Sequence, residues 1–443
     1  MSLKLFIWAP ALLCVLSAAV LAQQQQARPE GLPRGPVMKL EEVEALALQH
    51  NPTLAQAEAA VRAAEGRQRQ AGLFPNPVAG YFVDEFAFRS PGETAEHGAF
   101  IEQTIPLGGK LSKARNVFAR ERDQALINAE AQRLRITTSI RVLYYEALGA
   151  QRLVQLRAEL SQLAHDTVAT TKELYNVGQA DRSDQLQSEI EAERAEIDFL
   201  NAQNDWLGAW RTLAAMVGEP SLPPATVTGN QEDDFTQLNE TQLLEGLLQQ
   251  SPDVRVARAS VERARAVLAR ARAQRAPDLF VRGGLGYSYD RFEAPPFSLV
   301  GQRKGLEGQL QVGVNVPLFN RNQGGIAAAD AEVAIAERDL ERVQLLLRTR
   351  FAGSFREYRN AQQVVERYRT QILPRAREAY ELQWQNFRAM AAPYPQVLTA
   401  QRTLFQVEVE YAKALVQLRE RAVGLRGFLL QDGLGPIMRS NEQ

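Results

Sequence analysis

Two hydrophobic rhythms divide this chain. Over 306–316 apolar and polar residues alternate: Leu306, Leu310, Val312, Val314 and Val316 fall on one face with Gly308 among them, and Glu307, Gln309, Gln311, Gly313 and Asn315 on the other. A period of two is that of a strand with one apolar face. Residues 279–290 alternate likewise, with Leu279, Val281, Leu285, Tyr287 and Tyr289 opposite Arg282, Ser288 and Asp290. Ala99, Ile101 and Ile105 alternate with Glu102 and Thr104, although Gln103 interrupts the apolar side. Residues 78–88 are apolar on both faces apart from Asp84 and Glu85, which leaves their register open. Polar loops rich in Gly and Pro, 89–96 and 291–304, are expected to join the strands of each pair, 78–106 and 279–317.

The second rhythm is helical. Residues 110–175 contain no Pro and only Gly149 as an interruption, enough for a helix of about 100 Å. Ile136, Ile140, Leu143, Ala147, Ala150 and Val154 recur at spacings of three and four, as do Phe351, Phe355, Tyr358, Val365, Tyr368 and Ile372. Each long stretch ends at a short break, 177–181 or 389–395, and a returning helix follows, 183–216 or 396–429. Ala, Gln and Arg dominate these helices, so their packing surfaces are narrow seams of the coiled-coil kind. Shorter helical segments, 40–72 and 241–276, precede the strand pairs and are broken at Asn51-Pro52 and Ser251-Pro252.

The order helix, strand pair, long helical hairpin occurs twice. Residues 45–52 resemble 245–252, an offset of 200; Tyr144 and Glu146 correspond to Phe355 and Glu357 at 211, and Leu186 to Leu398 at 212. So slow a drift indicates an internal duplication. The expected layout is a signal peptide at 1–22, a flexible leader at 23–37, repeats at 38–230 and 231–430 with helical hairpins at 109–217 and 322–429, and a tail at 431–443.

Four strands of roughly eleven residues are long enough to cross an outer membrane at a tilt, yet too few to close a barrel, and lipid does not tolerate open sheet edges. Sister chains must therefore supply the missing strands, and three copies would give twelve. The fold expected is an α+β membrane protein: a trimeric twelve-stranded β-barrel continued by a long periplasmic α-helical coiled-coil barrel. A structural periplasmic coiled-coil protein with ordinary hairpins is the alternative. It does not account for the apolar face of 306–316 or for Tyr287 and Tyr289, which are placed as interfacial aromatics.

Met1–Lys4 is short and basic, 5–16 is apolar, and Val20-Leu21-Ala22 fits a cleavage site for secretion. Leu13 before Cys14 is unsuited to lipid attachment, and cleavage near Ala22 removes the chain's one cysteine. The 51 basic and 52 acidic residues nearly cancel, which argues against nucleic acid as a partner. The three histidines, His50, His97 and His165, are far apart in sequence, and the methionines do not cluster. No metal site, cofactor site or nucleophile–base pair is expected, and so no enzyme.

The words Gln103-Thr-Ile-Pro-Leu-Gly-Gly-Lys110 and Val314-Asn-Val-Pro-Leu-Phe-Asn-Arg-Asn-Gln-Gly-Gly325, with Leu174-Tyr-Asn-Val-Gly178 and 398–404, resemble the TolC family of outer-membrane efflux proteins. The resemblance covers 38–430, and the two Pro-Leu words are most similar to the heavy-metal branch of the CzcC and CusC type. It implies a homotrimeric export channel in the outer-membrane lipid, coupled by a periplasmic adaptor to an inner-membrane pump of the RND type. Heavy-metal cations are the expected cargo, with drugs or type I secreted polypeptides as alternatives. Pro106, Gly108, Gly109, Pro317, Gly324 and Gly325 then mark the bend from barrel to helices, and Leu310, Val312, Val314 and Val316 face lipid. Val177, Gly178 and Gln179, with Ala389 and Met390, become adaptor-contacting tips. Asp181 and Asp184, with Glu189 farther along, are candidates for a carboxylate gate, although Asp181 also suits a helix cap; Arg182 and Arg388 are candidates to pair with them in a closed state.

Overall fold

The computed structural model describes residues 35–84, 95–178, 180–229, 237–294, 299–389 and 391–435. The expected signal peptide, Cys14 and most of the leader lie outside the described residues, as does most of the first strand-pair loop. In chain order the elements are β1 (Val37–Met38), α1 (Leu40–His50), α2 (Pro52–Ala71), β2 (Val78–Asp84), β3 (Glu96–Pro106), α3 (Lys110–Asn176), α4 (Arg182–Val217), β4 (Thr226–Val227), α5 (Glu240–Gln250), α6 (Pro252–Ala273), β5 (Asp278–Ala294), β6 (Leu299–Asn315) and α7 (Gln323–Arg367). A π-helical turn (Tyr368–Ile372), α8 (Leu373–Arg388) and α9 (Tyr394–Arg426) complete the chain. The described residues form two compact units, one from 35–51 with Arg135–Asn239 and Ala352–Leu434, the other from Pro52–Leu134 and Glu240–Phe351. Each unit draws on both sequence repeats.

In the strand-bearing unit β2, β3, β5 and β6 make one antiparallel sheet in that order. β5 and β6 are longer than the alternation suggested. Residues 291–294 pair with 299–302, so most of the expected second loop is strand. Polar and Gly-containing sequence is compatible with a ladder that runs on past the bilayer, because a membrane crossing uses only about ten residues of each strand. The helices of this unit follow the strand order. Arg67 of α2 pairs with Glu121 of α3 at 2.7 Å, Gln124 of α3 donates to the Ser260 hydroxyl of α6 at 2.7 Å, and Arg265 of α6 meets Glu337 of α7 at 2.8 Å. Arg255 of α6 donates to Glu130 of α3 at 2.7 Å and holds that carboxyl below its ordinary pKa. Pro252 opens α6 with the Ser251 hydroxyl accepting from the Val254 amide, since a first-turn Pro has no N–H to waste.

The helical unit packs in seams. Val154 of α3 is buried with Ala202 and Trp206 of α4, and Leu156 with Val409 and Ala412 of α9. The leader's last residue is not free chain: Val37 and Met38 pair in parallel with Thr226 and Val227. That two-residue pair is held by α3. The Tyr144 hydroxyl donates to the Thr228 carbonyl at 2.5 Å, lies 3.0 Å from the Met38 carbonyl and accepts from the Thr228 N–H at 3.1 Å, while Gln151 bonds both N–H and C=O of Val227. The tail is also anchored at its start, where the Gly433 N–H donates to the Ser139 hydroxyl at 3.0 Å. Gly218 ends α4 at φ 96°, and a Cβ there would stand 2.6 Å from the His50 carbonyl. In the second hairpin Pro374 has no N–H for the Thr370 carbonyl, and the helix widens just before it, with the Leu373 N–H donating to the Tyr368 carbonyl.

Candidate functional site

The sheet register sorts the strand residues into two walls. Tyr81, Ala99, Leu285 and Gly308 lie side by side, as do Ala79, Ile101, Gly283 and Leu310. This wall also carries Leu306, Val312 and Val314. Leu306 and Leu310 are 75% and 76% exposed, an apolar surface that water does not accommodate but a bilayer does. Val316 is exposed just past the end of β6 rather than in it. Gln103, the polar intruder on this wall, turns its amide to the main chain, donating to the Pro75 and Thr104 carbonyls at 2.9 Å each. The open register of 78–84 is resolved: Ala79, Tyr81 and Val83 share the apolar wall.

The opposite wall carries Asp84, Glu96, Glu102, Asp290 and Glu307 with Arg282 and Arg303. Its aromatic residues escape the alternation rule, and sequence reasoning missed them. Phe100 lies flat over Gly80, Phe82 over Gly98 and Phe280 over Gly313: a Cβ at those glycines would stand 2.5, 2.4 and 2.2 Å from the respective rings. Arg282 stacks its guanidinium on the Phe100 ring, 3.7 Å from the centroid. Each ring therefore lies down in a seat left by a missing side chain and leaves the wall smooth. The sequence signal was a Phe on one strand whose register partner or near neighbour on the next is Gly.

The bend differs between the repeats. Gly108 and Gly109 adopt φ 67° and 71°, as the Pro-Leu-Gly-Gly word suggested, and Pro106 is the last residue of β3. In the second repeat β6 stops at Asn315, before Pro317, and the left-handed residue is Asn322, at φ 57°. Gly324 and Gly325 lie in the first turn of α7 instead. Asn322 substitutes for a glycine because its amide donates to the Ala271 carbonyl at 2.9 Å, and its side chain fills the space a Cβ on Gly325 would need. Lys110, next to Gly109, forms an ion pair with Asp278 at 2.7 Å that ties the start of α3 to the start of β5.

At the first tip Gly178 is left-handed at φ 74° and Val177 is 69% exposed. Gln179 and Met390 lie outside the described residues. Asp181 caps α4: the Asp184 N–H faces its side chain, and the Asp184 carboxylate accepts from the Asp181 N–H at 3.2 Å. Both gate candidates are thus exposed and engaged in one reciprocal cap. Among the described residues Arg182 does not meet a carboxylate but donates to Gln185 at 2.8 Å, and Gln185 in turn donates to Glu189 at 2.8 Å. Arg388 and Ala389 are exposed at the other break. Elsewhere in this unit Glu146 and Glu420 are half-buried. Burial pushes both carboxyls above their ordinary pKa; Glu420 is raised further by Glu146 and restrained by Arg421. Among the described residues no helix is long and apolar enough to cross a membrane, and no group of three His, Cys, Asp or Glu is placed to hold a metal.

Known proteins share this architecture. The chain is 26% identical over 392 residues to the cobalt-zinc-cadmium resistance protein CzcC of Cupriavidus metallidurans, covering 88% of this chain and 90% of that one. It is also 26% identical over 422 residues to the pyoverdine export outer membrane protein OpmQ of Pseudomonas putida, covering 87% and 84%. The crystal structure of the outer membrane protein VceC of Vibrio cholerae superposes with a TM-score of 0.66 at 23% identity, over 88% of this chain and 95% of that one. The fold is that of trimeric channels in which a β-barrel continues as a helical barrel, with four strands from each chain. Residues 44–219 and 243–429 match the outer membrane efflux protein family; the chain belongs to that family and is an outer-membrane efflux channel of tripartite systems, reaching into the periplasm, rather than an enzyme.

Proposed function

We propose that the channel exports heavy-metal cations. The observation that carries this reading is the charge of the wall opposite the lipid face. By strand register Asp84, Glu96, Glu102, Asp290 and Glu307 share that wall with Arg282 and Arg303, and threefold repetition multiplies the acidic excess. A low-dielectric wall lined by one sign of charge concentrates the opposite ion. The similarity to CzcC along most of both chains supports the same cargo class. In this reading three copies close the barrel, because β2 and β6 each present an unpaired edge to lipid. The tips at Val177–Gly178 and Ala389 receive a periplasmic adaptor, which joins the duct to an inner-membrane pump of the RND type. Asp184, assisted by Asp181 and opposed by Arg182 and Arg388, narrows the entrance.

The test is reversal potential in a planar bilayer under a potassium chloride gradient. Cation selectivity is expected, weakened in Glu102→Gln/Glu307→Gln; an anion-selective or unselective parent refutes the charge argument. The similarity to OpmQ favours a second reading, export of an organic metal chelator. A deletion strain sensitised to divalent metals supports the first reading, and one that retains its own chelator supports the second.

A further inference from the structure

In the strand-bearing unit, the end of α2 and the first turns of α3 enclose an open cavity of about 380 Å³. Arg69, Arg115 and Arg122 line it, with Glu65, Gly72 and Leu73. Three guanidiniums against one carboxylate is a costly gathering of like charge unless an anion joins it. Neighbouring arginines on the same helices are neutralised, Arg67 by Glu121 and Arg120 by Asp123. Among the described residues the guanidiniums of Arg69 and Arg115 have neither an ion pair nor a hydrogen bond. Arg122 spends one amine on Asp123 at 2.9 Å, but its Nε is buried with no acceptor. Gly72 keeps the edge open, since a Cβ there would come within 3.1 Å of the Arg115 Cδ.

The place fits the charge. Leu73 and Phe74, both exposed, lead into β2 at Val78, and Arg115 follows shortly after the end of β3 at Pro106, so the cavity lies at the periplasmic rim of the sheet. Exposed apolar and aromatic residues beside a basic cluster are the signature of a headgroup boundary, and guanidinium forks suit phosphate oxygens. We propose that this cavity binds the phosphate group of an anionic phospholipid of the periplasmic leaflet.

The test compares the purified full-length protein with Arg69→Gln/Arg115→Gln in nanodiscs of phosphatidylglycerol or phosphatidylcholine, scoring co-purified lipid by native mass spectrometry. A parallel arm titrates inorganic phosphate into lipid-free protein in detergent. The parent is expected to retain phosphatidylglycerol preferentially. The double variant should lose that preference by on the order of thirtyfold, about fivefold for each surface-facing cation, while Lys172→Gln leaves it intact. Gly72→Leu, which fills the cavity without touching charge, should lose it too and guards against misfolding of the double variant. Preference for the lipid without phosphate binding assigns the site to the headgroup. Phosphate binding that vanishes in the double variant, without lipid preference, keeps a phosphate site but overturns the lipid. Equal lipid retention by parent and both variants, with no phosphate binding, overturns the proposal.

Discussion

The seated phenyl rings make two glycine substitutions behave differently although both are Gly→Ala on the same wall. At Gly313 the atoms facing a new Cβ are all ring carbons of Phe280, at 2.2, 2.3 and 3.1 Å. At Gly98 the ring of Phe82 stands at 2.4 Å, and the backbone carbonyl of Leu285 at 2.7 Å. A side chain can swing away; a carbonyl committed to the sheet cannot. Overpacking of this kind costs about 1–3 kcal/mol. Gly313→Ala should therefore destabilise the purified protein by about 2 kcal/mol, and Phe280→Leu in the same chain should restore most of that loss, a coupling of about 1–2 kcal/mol. Gly98→Ala should cost at least as much and should not be rescued by Phe82→Leu. The assay is denaturant unfolding in detergent followed by the β-sheet circular dichroism signal, with each single variant completing its cycle. A Gly313→Ala protein as stable as the parent, or equal rescue at both positions, would refute the seating argument.

Three further outcomes follow from the helical unit. Tyr144→Phe leaves the Thr228 carbonyl without its hydroxyl donor, while the Thr228 N–H keeps the Met38 carbonyl, and should cost about 1–3 kcal/mol in the same unfolding assay. Glu420→Gln should stabilise the protein at neutral pH: its folded pKa is raised, so the ionised form costs stability once pH climbs above that value, and the variant's advantage should fade as pH falls through it toward the ordinary carboxylate range. At the tip, Asp184→Asn keeps an acceptor for the Asp181 N–H while removing the charge; if the carboxylate gates the entrance, Asn and Ala should raise closed-state conductance alike, whereas a pure capping role predicts that only Ala changes the protein, through stability.

Most of the architecture was legible because its two periods, 2 and 3.6, are so unlike. Leu310, Val312 and Val314 announce a strand with one apolar face, and the Pro-free run from Lys110 announces a long helix. What stayed hidden was set by contacts between elements. The register of 78–84 was open because Phe82 and Gly80 belong to the wall opposite Leu310 and Val312, where apolar character reports a ring lying on a glycine. The second bend was assigned to Gly324 and Gly325, whereas the left-handed backbone falls on Asn322, whose fitness depends on the Ala271 carbonyl. The strands reach into 291–294 and 299–302 because water as well as lipid can flank a paired ladder, and polarity alone does not end one. At the tip, the sequence offers Asp181 as gate or cap and Asp184 as gate, and only the Asp181 N–H beside the Asp184 carboxylate reveals that Asp184 shares in the cap.

The widened turn at Tyr368–Ile372 explains an arithmetic oddity of the duplication. Corresponding positions are 211 residues apart at Tyr144 and Phe355 but 212 apart at Leu186 and Leu398, and the turn lies between them. One surplus residue in an ordinary helix would rotate everything downstream by about 100°, presenting the wrong side of α8 and α9 to their neighbours. A loop of wider pitch swallows the surplus locally, so the second arm carries one residue more than its twin without turning its faces away.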